Sequence, residues 1–218
     1  YDRANWDRAV SAQGLFQTYG SLFSYPFDYA VELLIPAGLT QPEMILPFES
    51  GVIWAFTGGP HGGWADGSAW AALDFAPDVQ GCEVRSEWVT AVADGLIIRT
   101  EYGAVVQDLD GDGREGTGWT VLYMHIAPEE RVATGTYLQT GDRIGHPSCE
   151  GGFSTGTHLH LARRYNGEWI AADGDIPFIL DGWISSGTGV AYDGYLRREG
   201  QEIEAWDGFF PENTFSRP

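Results

Sequence analysis

The sequence contains no lysine. All 12 of its basic residues are arginine, set against 31 acidic residues, and the formal net charge is −19 over 218 residues. Because a chain this acidic repels phosphate backbones, we expect no nucleic-acid partner. There is no apolar run of about 18 residues, the length that a membrane span needs, and the opening YDRANWDRAV lacks the regions of a signal peptide. We therefore expect no membrane span and a mature or trimmed chain.

Cysteine is also scarce. Cys82 and Cys149 are the only two, and they stand far apart, which suits one disulfide better than a CxxC metal or redox site. Closing so long a loop would stabilise the fold by about 4 kcal/mol. The alternative is two buried free thiols in a cytosolic protein. We favour the disulfide, because the rest of the chain has the character of a secreted, extracellular protein.

Glycine is abundant, with 30 residues, and it divides the middle of the chain into short apolar and β-branched runs. This spacing predicts a mainly β protein with an antiparallel sandwich or open-barrel core. Asn166 and Gly167, in YNGEW, give the strongest hairpin signal. We expect a monomer with a single domain overall: an N-terminal arm over residues 1–44, a core over 45–180, and a C-terminal segment over 181–218 that packs on the core.

Two histidines are separated by one residue in the strand-like run GTHLHLARR. Successive side chains of a strand point to opposite faces, so His158 and His160 share one face, with Leu159 and Leu161 packing behind them. By itself this pattern fits an exposed pair of histidines as well as a metal or catalytic site. Residues elsewhere in the chain must decide between these interpretations.

Further candidate ligands precede this strand. His61 follows a glycine turn, Asp74 lies between Leu73 and Phe75, and His125 ends the run TVLYMH. A carboxylate among apolar neighbours is costly to bury unless it is paired or bound to metal. A catalytic zinc takes three nitrogen or oxygen ligands from the protein, and His61, Asp74 and one of the two strand histidines supply such a set. Taken singly, each could be a loop histidine, a capping aspartate or a strand-end histidine.

Five segments stand in a specific order along the chain: TGGPHGGW...SAWAALDF, VTAVADGLIIR, VLYMH, TYLQTGDRIGHPS and STGTHLHLARR. Together they resemble the lysostaphin and LytM type of zinc metalloendopeptidase over residues 45–172. The long gap between His61 and Asp74 resembles the staphylolysin (LasA) branch of that family. The resemblance implies an antiparallel β-scaffold and a zinc endopeptidase that cuts Gly-Gly bonds or peptidoglycan bridges.

The resemblance also implies residue roles. His61, Asp74 and His160 would hold zinc, while His125 and His158 would line the open side of the metal. Because the chain has no HExxH glutamate, the general base must come from elsewhere, and a histidine suits that work. We assign His125 as the base and His158 as the partner of the oxyanion, although the two roles could be exchanged or shared.

A tyrosine in the tail is a further residue that the resemblance implies, as a donor to the transition state. Tyr192, in GVAYDGYL, is the candidate, although a packed aromatic is the commoner fate of such a residue. Glycines in TGGPHGGW and GGFSTGTH predict a narrow slot that suits a substrate with little side chain, walled by Phe153, Trp64 and Tyr192. His146 has no counterpart in the pattern and is interpreted as structural or exposed.

A second candidate metal site lies in QDLDGDGREGTGW. Asp108, Asp110 and Asp112, followed by a glycine, reproduce the first half of a calcium loop. Trp119 stands where an EF-hand has its bidentate glutamate, so the full loop is absent, and Glu115 is a candidate extra ligand. The alternative is an acidic hairpin tip, because Asp-Gly pairs form turns by themselves. We favour calcium, because three adjacent carboxylates repel one another without a cation.

The leading hypothesis is therefore a secreted zinc endopeptidase that acts on glycine-rich peptides or bacterial peptidoglycan. A second is a non-catalytic relative that binds peptidoglycan or activates another hydrolase. Such relatives lose ligands, whereas this chain keeps all five expected residues. A third is a β-domain with a structural zinc, but such sites have four protein ligands, often cysteines, and the cysteines here are elsewhere.

Overall fold

The computed structural model describes residues 33–64, 67–78 and 81–218, together with 17–18 and 21–22. Gly38–Pro218 forms one compact unit. The predicted N-terminal arm, residues 1–44, lies mostly outside the described residues, and the predicted boundaries at 44 and 180 stay predictions. In the part of the chain that is described, no helix is long and apolar enough to cross a membrane.

Regular structure in the described residues is almost entirely β-strand. The strands are β1 (Ile53–His61), β2 (Ala72–Ala76), β3 (Val89–Thr90), β4 (Gly95–Glu101), β5 (Ala104–Asp108), β6 (Trp119–Met124), β7 (Tyr137–Leu138), β8 (Arg143–Gly145), β9 (Leu159–Tyr165), β10 (Glu168–Trp169), β11 (Ile179–Leu180), β12 (Trp183–Gly187), β13 (Gly194–Arg198), β14 (Gln201–Glu204) and β15 (Thr214–Ser216). A single 3₁₀ turn, Pro211–Asn213, precedes β15.

The strands form three sheets, in which every pairing is antiparallel. The main sheet has the order β15-β1-β2-β9-β6-β5-β4-β7, with β10 paired to β9. A four-stranded sheet contains β11 to β14, and β3 pairs with β8. Among the described strands, β15 and β7 end the main sheet without pairing with each other, so the sheet is open. The predicted mainly β, antiparallel fold is confirmed.

β1 joins two distant parts of the chain. On one side it pairs with β2, and on the other it pairs with β15, where Ala55 lies opposite Thr214. Beside this pairing, the Asn213 side chain donates from Nδ2 to the Phe56 carbonyl at 3.0 Å, although these residues are 157 positions apart. The strand that ends in His61 is therefore held from both sides.

Strand alternation separates the apolar core from the candidate site. In β2, Leu73 and Phe75 are fully buried in the main apolar cluster, while Asp74 between them points to the opposite face. In β9, His160 alternates in the same way with two buried leucines. Each large apolar side chain that is fully buried contributes about 1.5–3 kcal/mol, so the core face fixes the register that brings Asp74 opposite His160.

The Asn166-Gly167 hairpin is present as predicted. Tyr165 pairs with Glu168 across the two-residue turn, and Asn166 and Gly167 have φ values of 48° and 82°. Positive φ at both central residues is what a type I′ turn requires, and asparagine and glycine tolerate it best.

The predicted disulfide between Cys82 and Cys149 is also present. It joins the segment that follows β2 to the loop that precedes β9. This loop leads into His158 and His160, so the covalent link lies close to the candidate site in the chain.

Candidate metal and catalytic site

Three predicted ligands meet on neighbouring strands. His61 ends β1, Asp74 lies in the middle of β2, and His160 is the second residue of β9. Asp74 Oδ1 lies 3.2 Å from His61 Nε2 and 3.2 Å from His160 Nδ1, and the two nitrogens are 3.0 Å apart. The sheet order β1-β2-β9 thus gathers residues that are up to 99 positions apart.

Glycine at position 58 leaves room for the carboxylate. Gly58 pairs with Asp74 beside a β-bulge in β1. A Cβ atom at this position would lie 2.9 Å from the Asp74 Cβ and 2.9 Å from its Oδ2. Any larger residue would therefore displace the Asp74 side chain, and this contact accounts for a glycine where a strand would otherwise favour a β-branched residue.

The outer ring nitrogens of the two ligand histidines contact backbone carbonyls. His61 Nδ1 lies 2.8 Å from the Gly59 oxygen, and His160 Nε2 lies 3.1 Å from the Gly63 oxygen. A carbonyl oxygen only accepts hydrogen bonds, so these nitrogens carry the hydrogens of the neutral rings. The inward nitrogens and Asp74 Oδ1 are then three acceptors that face one another, an arrangement that a cation stabilises.

The charge state of Asp74 agrees with this interpretation. Its side chain is buried, and among the described residues its Oδ1 atom has no hydrogen-bond partner. Burial alone would raise the pKa of Asp74, but the nearby His61 and His160 outweigh it and hold the pKa well below its usual range. Burial alone would lower the pKa of His61, and the Asp74 carboxylate outweighs it and raises the pKa. Both shifts favour a pair of protonated His61 and ionised Asp74 when no metal is bound, and a bound cation would take over the role of that proton.

These donors fit zinc. Two imidazole nitrogens and one carboxylate oxygen are the ligand types of catalytic zinc sites, which leave a further position open. The three ligand atoms lie within 4.8 Å of one another. An oxygen-preferring cation such as Ca²⁺ would favour carboxylates and carbonyls over these nitrogens.

His125 and His158 stand beside this cluster, with ring centroids 4.3 Å apart. His125 Nδ1 lies 3.1 Å from the Glu150 oxygen and His158 Nδ1 lies 2.8 Å from the Gly156 oxygen. Both Nδ1 atoms therefore carry the hydrogen of the neutral ring, which leaves each Nε2 atom as an acceptor. His158 Nε2 is 3.9 Å from Asp74 Oδ2. His158 therefore lies next to the ligand cluster, defined as His61, Asp74 and His160.

His125 is uncharged at neutral pH. Burial, followed by the nearby His158 and His160, lowers the pKa of His125 to about 4. The ring is therefore neutral at pH 7. Its backbone has a φ of 67°, a left-handed conformation that a residue other than glycine adopts at a cost.

Tyr192 lies against a ligand histidine. Its ring stacks on His61 with a centroid distance of 4.1 Å and an interplanar angle of 20°. Its backbone accepts a hydrogen bond from the Gly59 N–H at 2.8 Å and donates one to the Pro60 carbonyl at 3.2 Å. The structure thus brings Tyr192 to the predicted site, with 58% of the side chain exposed.

The other two aromatic residues that were predicted to wall the slot are exposed. Phe153 is 90% exposed and Trp64 is 47% exposed. Backbone rather than side chain lies next to two of the histidines: a Cβ atom at Gly152 would come within 3.6 Å of the His125 ring, and the Gly63 carbonyl contacts His160. The slot interpretation stays a prediction.

The aspartate turn, defined as Asp108, Asp110 and Asp112, is a separate cluster. One oxygen of each carboxylate lies within 4.8 Å of the others. Asp108 and Asp110 accept hydrogen bonds from backbone N–H groups of the same turn, at 2.8–3.2 Å. Desolvation and the adjacent carboxylates raise the pKa of Asp110. Glu115, considered above as an extra ligand, instead forms an ion pair with Arg99 at 2.6 Å.

Sequence reasoning did not find the groups that orient the histidines. Most are backbone carbonyls, at Gly59, Gly63, Glu150 and Gly156, and a carbonyl has no side-chain signature. The glycines that flank His61 and His158 were the available signal, but they were interpreted as a substrate slot. Of the two interpretations of His146, structural or exposed, the structure agrees with the structural one. His146 is buried, and its Nδ1 atom lies 3.0 Å from the Glu87 oxygen.

Part of this chain matches a known protein family. Residues 78–172 match the family described as Peptidase family M23. His125, His158 and His160 fall inside the matched residues, whereas His61 and Asp74 precede them. The site therefore draws on residues outside the matched region as well as within it.

Two relatives cover most of this chain. The Beta-lytic metalloendopeptidase of Achromobacter lyticus is 28% identical over 180 residues, which are 76% of this chain and 44% of the relative. Protease LasA of Pseudomonas aeruginosa is 26% identical over 178 residues, which are 72% of this chain and 40% of the relative. The chain thus spans less than half the length of these two relatives.

A solved structure has the same fold. Pseudoalterin, described as an M23 metalloprotease from the deep sea, aligns with 80% of this chain and 99% of its own, with a TM-score of 0.63 and 24% sequence identity. The likeness extends beyond the residues of the family match, because it covers more of the chain.

Proposed function

Since residues 78–172 match Peptidase family M23, we propose that this chain is a zinc-dependent endopeptidase that hydrolyses glycine-rich peptide bonds, with bacterial peptidoglycan cross-bridges as its substrate. The observation that carries the proposal is that acceptor atoms of His61, Asp74 and His160 face one another. Two further histidines lie beside them, each with an Nε2 atom that can accept a hydrogen bond. The similarity to a metalloendopeptidase and to a protease supports the class of reaction.

His61, Asp74 and His160 would hold the zinc. A bound zinc supplies Lewis-acid chemistry, because it polarises a carbonyl oxygen and lowers the pKa of a water from 15.7 to about 7. The carbonyls of Gly59 and Gly63 keep the two imidazoles in the tautomers that ligation needs. The ionised Asp74 supplies the negative charge of the ligand set.

His125 would act as the general base. Its low pKa keeps the ring neutral, and its Nε2 atom is free of a hydrogen because Nδ1 donates to the Glu150 carbonyl. His158 would take up a second proton from solvent on Nε2 while Nδ1 keeps its hydrogen, and the resulting imidazolium would stabilise the carbonyl oxygen of the substrate as that oxygen gains negative charge. The two rings are close enough for these roles to be exchanged or shared.

Tyr192 would be a donor to the substrate oxygen from the side of His61, a role that its stacking on that ring supports. Selection of glycine would follow from the backbone that lies next to the histidines at Gly63 and Gly152. A substrate without side chains at the cleaved bond fits a cleft with such walls.

The disulfide supports an extracellular location, because such bonds persist in oxidising compartments. We propose a secreted protein that acts as a monomer. Calcium binding at the aspartate turn is part of the same proposal, supported by the three carboxylate oxygens within 4.8 Å of one another, and its test is given in the Discussion.

The substrate can be tested with two peptides and one polymer. Zinc-loaded protein is incubated with pentaglycine, with the same peptide carrying leucine on either side of the central bond, and with purified peptidoglycan, and the products are identified by mass spectrometry. We expect cleavage of an internal Gly-Gly bond, and cleavage of the leucine peptide at least about 10-fold more slowly, because the extra side chain has to fit a narrow slot.

Each other result changes a specific part of the proposal. Equal cleavage of both peptides would contradict the selection of glycine. Digestion of peptidoglycan without cleavage of either peptide would move the scissile bond to the stem cross-links. If zinc is bound and none of the three substrates is cut, the chain is a non-catalytic relative.

A further inference from the structure

The segment Ser148–Glu150 lies between the two histidines that are outside the ligand set. The Ser148 backbone N–H donates to the His125 carbonyl at 2.7 Å, and the His158 N–H donates to the Ser148 carbonyl at 3.3 Å. The Ser148 hydroxyl donates to the same His125 carbonyl at 2.9 Å. At the other end of the segment, the Glu150 carbonyl accepts from His125 Nδ1. Ser148 thus bonds to both histidines and Glu150 to His125, and Cys149 lies between these two residues in the chain.

Ser154 forms a triangle with His158 and a backbone carbonyl. Its hydroxyl oxygen is 3.3 Å from His158 Nδ1 and 2.7 Å from the Gly156 oxygen, which itself lies 2.8 Å from Nδ1. The hydroxyl therefore donates to the carbonyl and accepts from the ring N–H. It also lies 3.3 Å from the Cys149 sulfur. Ser154 thus connects the disulfide to the ring of His158.

The loop over residues 149–157 is attached to residues 81–83 at both of its ends. The disulfide joins Cys149 to Cys82 at the first end. At the second end, Thr157 donates from its N–H to the Gly81 carbonyl at 2.7 Å and from its hydroxyl to the Glu83 carbonyl at 2.5 Å. Because the loop contains two glycines with positive φ, it would be free to adopt many conformations if these attachments were lost.

We propose that the Cys82–Cys149 disulfide and Ser154 are positioning groups for the reaction, because they hold the acceptors that keep the Nδ1 hydrogens of His125 and His158 in place. Each ring then presents its Nε2 acceptor to the cleft. The kinetic part of this inference rests on the proposed peptidase function, whereas the ring geometry can be measured independently of any substrate.

The ring geometry can be tested by NMR of the zinc-loaded protein with ¹⁵N-labelled histidine. Hydrogen-bonded Nδ1–H protons exchange slowly with water. In the wild-type protein we expect slowly exchanging signals from His125, His158 and His61, each assigned by its loss in a His→Gln variant. His61 donates to Gly59, outside the loop, and is therefore an internal control.

Two changes should affect these signals differently. Ser154→Ala should accelerate exchange at His158 alone. The paired change Cys82→Ser and Cys149→Ser should accelerate it at both His125 and His158 and leave His61 unchanged. A protein that was merely less stable would lose protection at all three rings together.

The kinetic test uses single substitutions on the same loop. Ser154→Ala should lower kcat by about 10- to 100-fold, the usual effect of removing a group that orients a functional histidine, with KM and zinc content unchanged. Ser154→Thr should restore most of the activity, because it restores the hydroxyl. Thr155→Ala is the matched control: this neighbouring hydroxyl is on an exposed residue, and its loss should change nothing.

The inference is overturned if Ser154→Ala leaves both the exchange at His158 and kcat unchanged. It is also overturned for the disulfide if the paired variant folds with normal signals from both rings. If the paired variant does not fold, the Ser154 variants, which keep the disulfide, decide by the same two measurements. A wild-type protein that cuts no substrate contradicts the proposed function, and the exchange rates still test the positioning.

Discussion

The ligand cluster (His61, Asp74 and His160) and the aspartate turn each bring together three side chains that could hold a metal ion, but the hydrogen bonding of their carboxylates differs. In the ligand cluster, Asp74 Oδ1 is buried without a hydrogen-bond partner among the described residues, and two imidazole nitrogens point towards it. In the aspartate turn, carboxylates accept hydrogen bonds from N–H groups of their own turn. Proximity of ligand atoms is common to both.

The difference shows which observation indicates a metal. A turn rich in Asp-Gly pairs folds with its carboxylates bonded to the backbone, and it needs no cation to do so. Burying a carboxylate oxygen that faces two acceptor nitrogens destabilises the folded state unless a proton or a cation lies between these atoms. We therefore expect metal-related effects to be large at the ligand cluster and small at the aspartate turn.

The largest effect should come from Asp74→Asn. The amide keeps the shape of the side chain but removes the charge and one acceptor, so we expect loss of bound zinc and a fall in kcat/KM of about 10³-fold or more, the equivalent of several kcal/mol of Lewis-acid stabilisation. Metal analysis of the purified protein, together with peptide cleavage, measures both.

Asp110→Asn is the matched control, because it makes the same chemical change in the aspartate turn. It should leave zinc content and cleavage unchanged. The assignment of zinc to the ligand cluster would be contradicted if Asp74→Asn retained about one zinc per chain with normal turnover, or if Asp110→Asn removed the zinc.

A smaller effect is expected at a residue that adjoins the ligand cluster without belonging to it. His125→Ala should keep its zinc but lower kcat by about 10²- to 10⁴-fold, the usual contribution of positioned acid–base catalysis. Parallel zinc analysis and turnover measurements separate the two roles. Loss of zinc together with activity would place His125 in the ligand set, and near-normal turnover would remove it from the reaction.

The smallest effect is the calcium response of the aspartate turn. If Ca²⁺ binds the native turn, a tenfold excess over Kd stabilises the fold by about 1.4 kcal/mol, which raises Tm by about 3–6 °C for a chain of this size. Thermal unfolding in calcium and in a calcium-selective chelator measures this, with Asp110→Asn as the variant that should not respond. An identical Tm for the wild type in both conditions would identify a bare acidic turn.

Much of the fold and of the candidate site could be predicted because both depend on local patterns. Alternation in LHLAR and ALDF places His160 and Asp74 on the face opposite the buried leucines, and the Asn166-Gly167 pair specifies its own turn. The count and spacing of the cysteines, together with the secreted character of the chain, were enough to predict the disulfide. Each of these features is determined by residues that are adjacent in the sequence or by the chemistry of a single type of side chain.

The remainder depends on contacts between distant backbones. Gly58 is required by a carboxylate on the next strand, and the ring hydrogens are placed by carbonyls that any residue type would provide. The pairing of β15 with β1, and the sheet formed by β11 to β14, likewise have no local signature in the tail. The position of Glu115 beside Arg99, rather than beside the aspartates, was missed for the same reason.

The pairing of β1 with β15 also has a consequence for the order of events during synthesis on the ribosome. Asn213 donates to the Phe56 carbonyl across a sequence separation of 157, and contacts of such long sequence separation form slowly, because a large loop must close first. β1 would leave the ribosome long before its second neighbour and would wait with one edge unpaired, an edge on which another chain can add a strand. His61 lies at the opposite end of that strand and pairs with Ala72 of β2, so the late step completes the Ile53–Ala55 end of β1 and not the position of His61.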